Sequence, residues 1–368
     1  MSSDLYPVTR LAEVKEATLR SGLGALLLTP GPDLRYVTGY EAMPLERLTC
    51  LVVPAAGEPF LVVPRLELPA AEHSPASRLG IEFVPWDETD DPHALVAERL
   101  GAVGSVGLAD RMWAMQSLRF REAMPGAEQK LAGGVMRELR MRKSPAEAAA
   151  LAEAGAAIDA VHELVPQFLK AGRTEREVGR DIAEAIMAAG HATVDFVIVG
   201  SGPNGASPHH ELSDRMIQTG EPVVVDIGGM MPSGYCSDST RVYSVGEPPA
   251  EFAAYYEVLK QAQEAACAHV RPGVTCESID AAAREVIAEA GFGDYFIHRT
   301  GHGIGLETHE EPYIVAGNSE LVEPGFAFSV EPGIYMAGRH GARIEDIVIC
   351  GETAGERLNN TTHDLVIV

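Results

Sequence analysis

The chain has 368 residues, 46% of them hydrophobic and 22% charged, with a formal net charge of −24. This length is generous for one domain and ordinary for two, each with material for its own core. The acidic excess excludes a nucleic-acid backbone as partner, which needs clustered Lys and Arg, and is compatible with binding cations.

Residues 1–130 read as a small α/β domain. A helical start (Leu11, Val14, Leu19) leads to the apolar strand Ala25–Leu28 and a turn at Pro30-Gly31-Pro32. Strands at Thr49–Val53 and Phe60–Val63 flank a turn and make a hairpin, followed by a helix near 93–100 and a strand at Val106–Leu108. A basic connector occupies 126–143. Ser144 then caps a strong helix, with Pro145 at its first position and Glu147 completing a capping box. Leu151, Ala154, Ile158, Val161, Val165 and Phe168 recur every three or four residues and give that helix one buried face.

Residues 131–368 contain an internal repeat. At one constant offset, Gly172, Thr174, Val178, Glu184, Ile186 and Gly190 fall on Gly273, Thr275, Ile279, Glu285, Ile287 and Gly291. Each copy follows a long amphipathic helix (145–169 and 251–270) and precedes a strand-rich stretch. The expected architecture is a pseudo-twofold α+β domain, helices outside and a curved antiparallel sheet inside.

Five cysteines, an odd number with no C-x-x-C pair, indicate neither a disulfide framework nor a zinc ribbon. No stretch reaches the roughly 18 apolar residues of a membrane span. The opening MSSDLYPVTRLAEVKEAT has no apolar signal core, so the cytoplasm is the expected compartment and no membrane partner is expected.

Each repeat plants two acids in apolar strands. Asp226 ends Val-Val-Val-Asp, and Asp238 follows a turn through Met231–Gly234. Glu331 ends Phe-Ser-Val-Glu, and Glu345 follows a second turn in Arg343-Ile-Glu-Asp. A buried carboxylate is costly unless paired or metal-bound, and only Arg241 and Arg343 lie nearby in sequence. Two divalent cations balance four such acids best. Of 12 histidines, His209, His210, His298, His302 and His309 lie around these strands, and glycines flank His302 so that backbone can approach a ligand.

With these motifs in place, residues 134–368 resemble the pita-bread metallopeptidases, the superfamily of methionine aminopeptidase, aminopeptidase P and prolidase. The separate N-terminal domain resembles that of the proline-specific branch and of creatinase, where it serves dimerisation and covers the active site. The resemblance implies metal ligands Asp226, Asp238, His302, Glu331 and Glu345. Asp238 and Glu345 would bridge two ions about 3.5–4 Å apart. It implies catalytic roles for Glu331 as proton shuttle and for His209 and His309 at the oxyanion, with His298 and Arg343 as further substrate-site residues. Mn²⁺ is the expected metal, Co²⁺ or Zn²⁺ the alternatives, and a homodimer the expected assembly.

Two departures from the family pattern stand out. The Asp226–Asp238 interval is one residue longer than expected, implying a bulge or a longer turn. Glu310-Glu311-Pro312-Tyr313 also lacks the arginine that grips a dipeptide's carboxylate in prolidases, which nominates Arg47, after Tyr36-Val-Thr-Gly39, with Arg339 as rival. The function expected is hydrolysis of the bond preceding proline, in Xaa-Pro dipeptides. The alternatives are an aminopeptidase P acting on longer peptides and, more remotely, a non-enzymatic peptide-binding module; metal-free creatinase chemistry does not suit five filled ligand positions.

Overall fold

A computed structural model describes residues 5–368. The chain divides into two compact units, Met1–Arg140 and Met141–Val368.

In the first unit, α1 (Thr9–Arg20) precedes β1 (Ala25–Leu28), and α2 (Pro32–Thr38) precedes β2 (Cys50–Pro54) and β3 (Phe60–Pro64). Then come α3 (Leu68–His73), β4 (Glu82–Trp86), α4 (Pro92–Leu100), β5 (Ser105–Leu108), α5 (Ala114–Ala123), β6 (Glu128–Leu131) and α6 (Gly133–Met141). The sheet order is β4-β3-β2-β1-β5-β6, with β1 antiparallel to β2 and parallel to β5. Leu26 and Leu27, on opposite faces of β1, are both fully buried. Helices cover both faces of the sheet, which is why these strands read as unbroken apolar runs. The sequence suggests only a turn at Pro30-Gly31-Pro32. In fact Pro32 opens α2, because proline's fixed φ suits the first helical turn, and Gly39 in the left-handed conformation closes it. The basic segment 126–143 is not a loop but carries β6 and α6.

The second unit begins with α7 (Pro145–Phe168) and α8 (Glu175–Ala188), then β7 (Thr193–Ser201), β8 (Glu221–Met230) and β9 (Cys236–Val245). The other half opens with α9 (Ala250–His269) and α10 (Cys276–Glu289), followed by β10 (Gly301–Gly303), β11 (Glu310–Ile314) and β12 (Ala327–Val330). It ends with β13 (Gly333–Met336), β14 (His340–Arg343), β15 (Asp346–Cys350), β16 (Gly355–Arg357) and β17 (Val366–Ile367). Ser144 and Glu147 form the expected capping box on α7, and Thr174 with Glu177 forms another on α8. Thr275 caps α10 alone, since Ser278 stands where Glu177 stands in the first copy. The repeat is built into the backbone. Gly172 N–H donates to Ile217 O at 2.8 Å and Gly273 N–H to Val322 O at 2.9 Å.

One half-sheet has the order β17-β9-β8-β7 and the other β11-β10-β12-β15-β16, and Glu345 N–H donates to Thr240 O across their seam. Val223, Val225 and Ile227 of β8 pack with Ile158, Val161 and Ile182 of α7 and α8 in one core. Val224 turns the other way, into the core of the second half. Asp226 shares that second face, because side chains along a strand alternate.

Candidate active site

Register decides which acids can meet. Across β8 and β9, Asp226 pairs with Thr240 and Gly228 with Asp238, with no register shift. Paired residues share a face, so Asp226 and Asp238 are diagonal neighbours on the same side. The long interval between them is absorbed by the turn, since Met230 still pairs with Cys236. The second acidic pair is not a simple hairpin. Val330 pairs with Asp346, and the separate ribbon of β13 and β14 is inserted between β12 and β15. Pro332, with no N–H to give, ends β12, so Glu331 and Glu345 face each other just past the last paired residues.

These strands bring five side chains together. Asp226, Asp238, His302 and Glu345 are each at most 6% exposed. Donor atoms of Asp238, His302 and Glu345 lie within 4.8 Å of one another. His302 Nε2 is 3.1 Å from Glu331 Oε1 and 3.7 Å from Asp238 Oδ2. Its Nδ1 faces Gly303 O at 3.1 Å, where it can only donate. With Nδ1 committed to that carbonyl, Nε2 is the nitrogen that faces the two carboxylates, as the nitrogen of a metal ligand would. Thr240 Oγ1 donates to Glu345 Oε2 at 2.7 Å. Asp226 Oδ2 accepts from the Arg343 guanidinium, while the buried Oδ1 has no partner among the described residues.

The electrostatics are frustrated without added positive charge. Burial first, then Glu345, Asp226 and Glu331, push the Asp238 carboxyl well above its ordinary range. Glu345 is raised by burial, Glu331 and Asp226, and Asp226 by burial against the pull of Arg343. Burial would raise Glu331 too, but His302, Arg343 and His298 outweigh it and hold that carboxyl low. Arg343 is the one guanidinium set against these four carboxylates among the described residues of the cavity's inner wall. An orphaned Asp226 oxygen, an aimed imidazole and unbalanced acids all fit a site for divalent metal.

A cavity of about 590 Å³ opens onto all five groups. His209, His309 and Arg343 line it as well, and the His309 ring lies 4.0 Å from that of His302. Burial, then His302, lowers the His309 imidazole to about 4, so it is neutral at pH 7. His298 is not in this wall. Its Nδ1 donates to Arg299 O at 2.7 Å and its Nε2 accepts from Tyr335 O–H at 2.9 Å. Tyr335 O in turn accepts from Arg343 Nη1 at 2.8 Å, so His298 braces the arginine that braces Asp226. The glycines flanking His302 make room for protein. A Cβ at Gly301 would collide with the carbonyl oxygen of Ser329, and one at Gly303 with that of Glu311.

Arg47 lies in the first unit, where its guanidinium meets Glu67 at 3.0 Å and Glu46 at 3.1 Å. Arg339 sits beside β14 and is paired with Glu251. Arg339 is not among the residues that line the cavity around His302.

Sequence reasoning missed the apolar wall of the cavity, formed by Phe196, Val197, Ile198 and Leu212. It also missed Glu175, the fully buried acid that holds the His209 loop. Glu175 accepts from Ser201 N (2.8 Å), Ser201 Oγ (2.7 Å), Asn204 Nδ2 (3.0 Å), His210 Nε2 (2.7 Å) and Ser213 Oγ (2.6 Å). From the other side Arg343 donates to Pro208 O at 3.3 Å. The one sequence signal for Glu175 is an acid following the cap on the buried side of α8.

Known proteins resemble this chain over nearly its whole length. The probable dipeptidase PepE of Mycobacterium tuberculosis is 55% identical over 360 residues, 98% of this chain and 96% of that protein. The crystal structure of dipeptidase PepE from Mycobacterium ulcerans superposes with a TM-score of 0.95 at 54% identity, covering 100% of this chain and 99% of that one. Recombinant prolidase from Thermococcus sibiricus gives 0.91 at 35% identity, with 98% of both chains covered. Residues 10–142 match the creatinase/prolidase N-terminal domain and 149–352 match metallopeptidase family M24. No helix among the described residues is long and apolar enough to cross a membrane. The chain therefore belongs to metallopeptidase family M24, a pita-bread hydrolase that works with divalent metal.

Proposed function

We propose that the chain hydrolyses the peptide bond preceding proline in Xaa-Pro dipeptides, using two divalent metal ions, Mn²⁺ foremost. The observation that carries this reading is the convergence of Asp226, Asp238, Glu331 and Glu345 on His302, with one guanidinium against four carboxylates. Those five side chains would hold the ions; a donor set rich in oxygen with a single imidazole is hard and suits Mn²⁺. Bound divalent ions bring the pKa of water towards neutrality and polarise a substrate carbonyl.

The remaining work falls to side chains of this protein. Glu331, beside His302 and accepting from Ser329 Oγ at 2.9 Å, takes a proton from the attacking water and passes it to the leaving nitrogen. His309 and His209 donate to the carbonyl oxygen as it gains charge. Proline's nitrogen has no N–H to recognise, so the ring itself must be seated. Phe196, Val197, Ile198 and Leu212 give the cavity an apolar wall suited to that task. Relatives that bear the names dipeptidase and prolidase favour the same substrate class.

The test is hydrolysis of Ala-Pro against Ala-Pro-Gly by chelated and Mn²⁺-restored enzyme. The expected result is activity only after Mn²⁺ returns, faster on the dipeptide. Faster tripeptide cleavage assigns the chain an aminopeptidase P activity. Failure to bind Mn²⁺ or to cleave either peptide rejects the proposal.

A further inference from the structure

A dipeptide's free carboxylate needs a cation, and most arginines near the site are already engaged. Arg343 serves Asp226, Tyr335 and Pro208. Arg284 is forked onto Asp280, and Arg176, in the cavity wall, is bonded to Asp214 at 2.8 Å.

Arg299 differs. Among the described residues no carboxylate comes within 4.0 Å of its guanidinium. The group lies instead over the Tyr313 ring, with Cζ 4.2 Å from the centroid. Stacking occupies the planar face of a guanidinium and leaves its N–H fork free at the edge, the geometry that grips a carboxylate bidentately. Tyr313 is the register partner of His302 across β10 and β11, so its ring stands on the face that carries His302. Arg299 is half-buried and precedes β10, the strand that carries His302. It thus supplies a cation beside the stretch after His309, where the chain itself offers Glu310-Glu311-Pro312-Tyr313.

We propose that Arg299, held on the Tyr313 ring, receives the C-terminal carboxylate of the substrate and makes the enzyme select dipeptides. This inference rests on the Xaa-Pro reading above.

The test compares Ala-Pro with Ala-Pro-amide, which lacks the terminal charge, on Mn²⁺-loaded wild type, Arg299→Ala, Arg299→Lys and Arg47→Ala. Losing a charge-assisted bond should raise KM for Ala-Pro by roughly 10- to 100-fold in Arg299→Ala. Its kcat, and both constants for the amide, should stay at wild-type values. Arg299→Lys should fall between, keeping the charge and losing the fork. The inference is overturned if Arg299→Ala affects acid and amide equally or neither, or if Arg47→Ala alone erases the preference for the acid. A wild type that cleaves neither substrate overturns the Xaa-Pro reading, and this assignment with it.

Discussion

Replacing Asp238 by Asn should stabilise the protein when it is stripped of metal and cripple it when metal is supplied. Asp238 and Glu345 are buried, with ligand atoms inside a 4.8 Å cluster. Two unit charges at that separation repel by about 3.5 kcal/mol at an effective dielectric near 20. The metal-free protein relieves part of this by keeping a proton, since burial and mutual repulsion raise both carboxyls. The gain on removing one charge is therefore nearer 1–2 kcal/mol at pH 7, about 2–8 °C in melting temperature. With Mn²⁺ at 100 times its dissociation constant, the wild type gains about 2.7 kcal/mol, whereas a variant short of a ligand gains little. The order of the two melting temperatures should consequently invert between chelated and Mn²⁺-loaded samples. A metal-free variant that melts below metal-free wild type, or an equal response of both to Mn²⁺, would refute the reasoning.

The pH dependence follows with its sign. Asp226, Asp238 and Glu345 have folded pKa values above the ordinary carboxylate range. From about pH 4 upward the folded state then holds more protons than the unfolded one, so stability falls as pH rises. Glu331 and Asp346 are held low and act oppositely, their contribution being lost only as pH falls below the ordinary range. Metal-free wild type should melt lower at pH 8 than at pH 5.5, and Asp238→Asn should show a shallower slope.

Further expectations concern single contacts. Glu175→Gln turns an acceptor of five donor groups into one that must also donate. A loss of about 2–3 kcal/mol in thermal melts is expected, with KM rising more than kcat falls because the His209 loop is loosened. Thr240→Val removes the hydroxyl on Glu345 Oε2, and metal affinity measured by titration should drop about 10- to 100-fold with the fold intact. His309→Ala should lower kcat roughly 100- to 1000-fold while metal content by atomic absorption is unchanged.

What the sequence revealed and concealed follows from the range of the interactions involved. Caps and strand alternation are local, so Ser144–Glu147, the Ala25–Leu28 strand and the acids planted in apolar runs could be read from neighbours in the chain. The short helix at Pro32 escaped notice because seven residues are too few to show periodicity. The excursion of β13 and β14 escaped for a different reason. Ile334 and Tyr335 fall in what reads as a turn between Glu331 and Arg343, and only the pairing of Val330 with Asp346 shows that a separate ribbon lies there. Partners remote in sequence were out of reach: Glu175 with His210, Thr240 with Glu345, Arg299 with Tyr313. The glycines beside His302 were visible, but their purpose was not, since it depends on which strand lies against them.

The internal repeat explains why the acids meet at all. Each copy carries two carboxylates on the inner face of its sheet, and the seam between Thr240 and Glu345 sets the two faces side by side. Alone, the first copy would bury Asp226 and Asp238 without the guanidinium of Arg343, which the second copy supplies, at a cost that packing could not offset. Joined, the copies concentrate four carboxylates into a space small enough for ions to neutralise them together. The copies have also diverged: the first contributes short aspartates within its ladder, the second longer glutamates just beyond its last pairs, together with His302. Reach compensates for position. Exchanging Glu345 for Asp should then withdraw the carboxylate from the cluster and weaken metal binding, although charge and fold are kept.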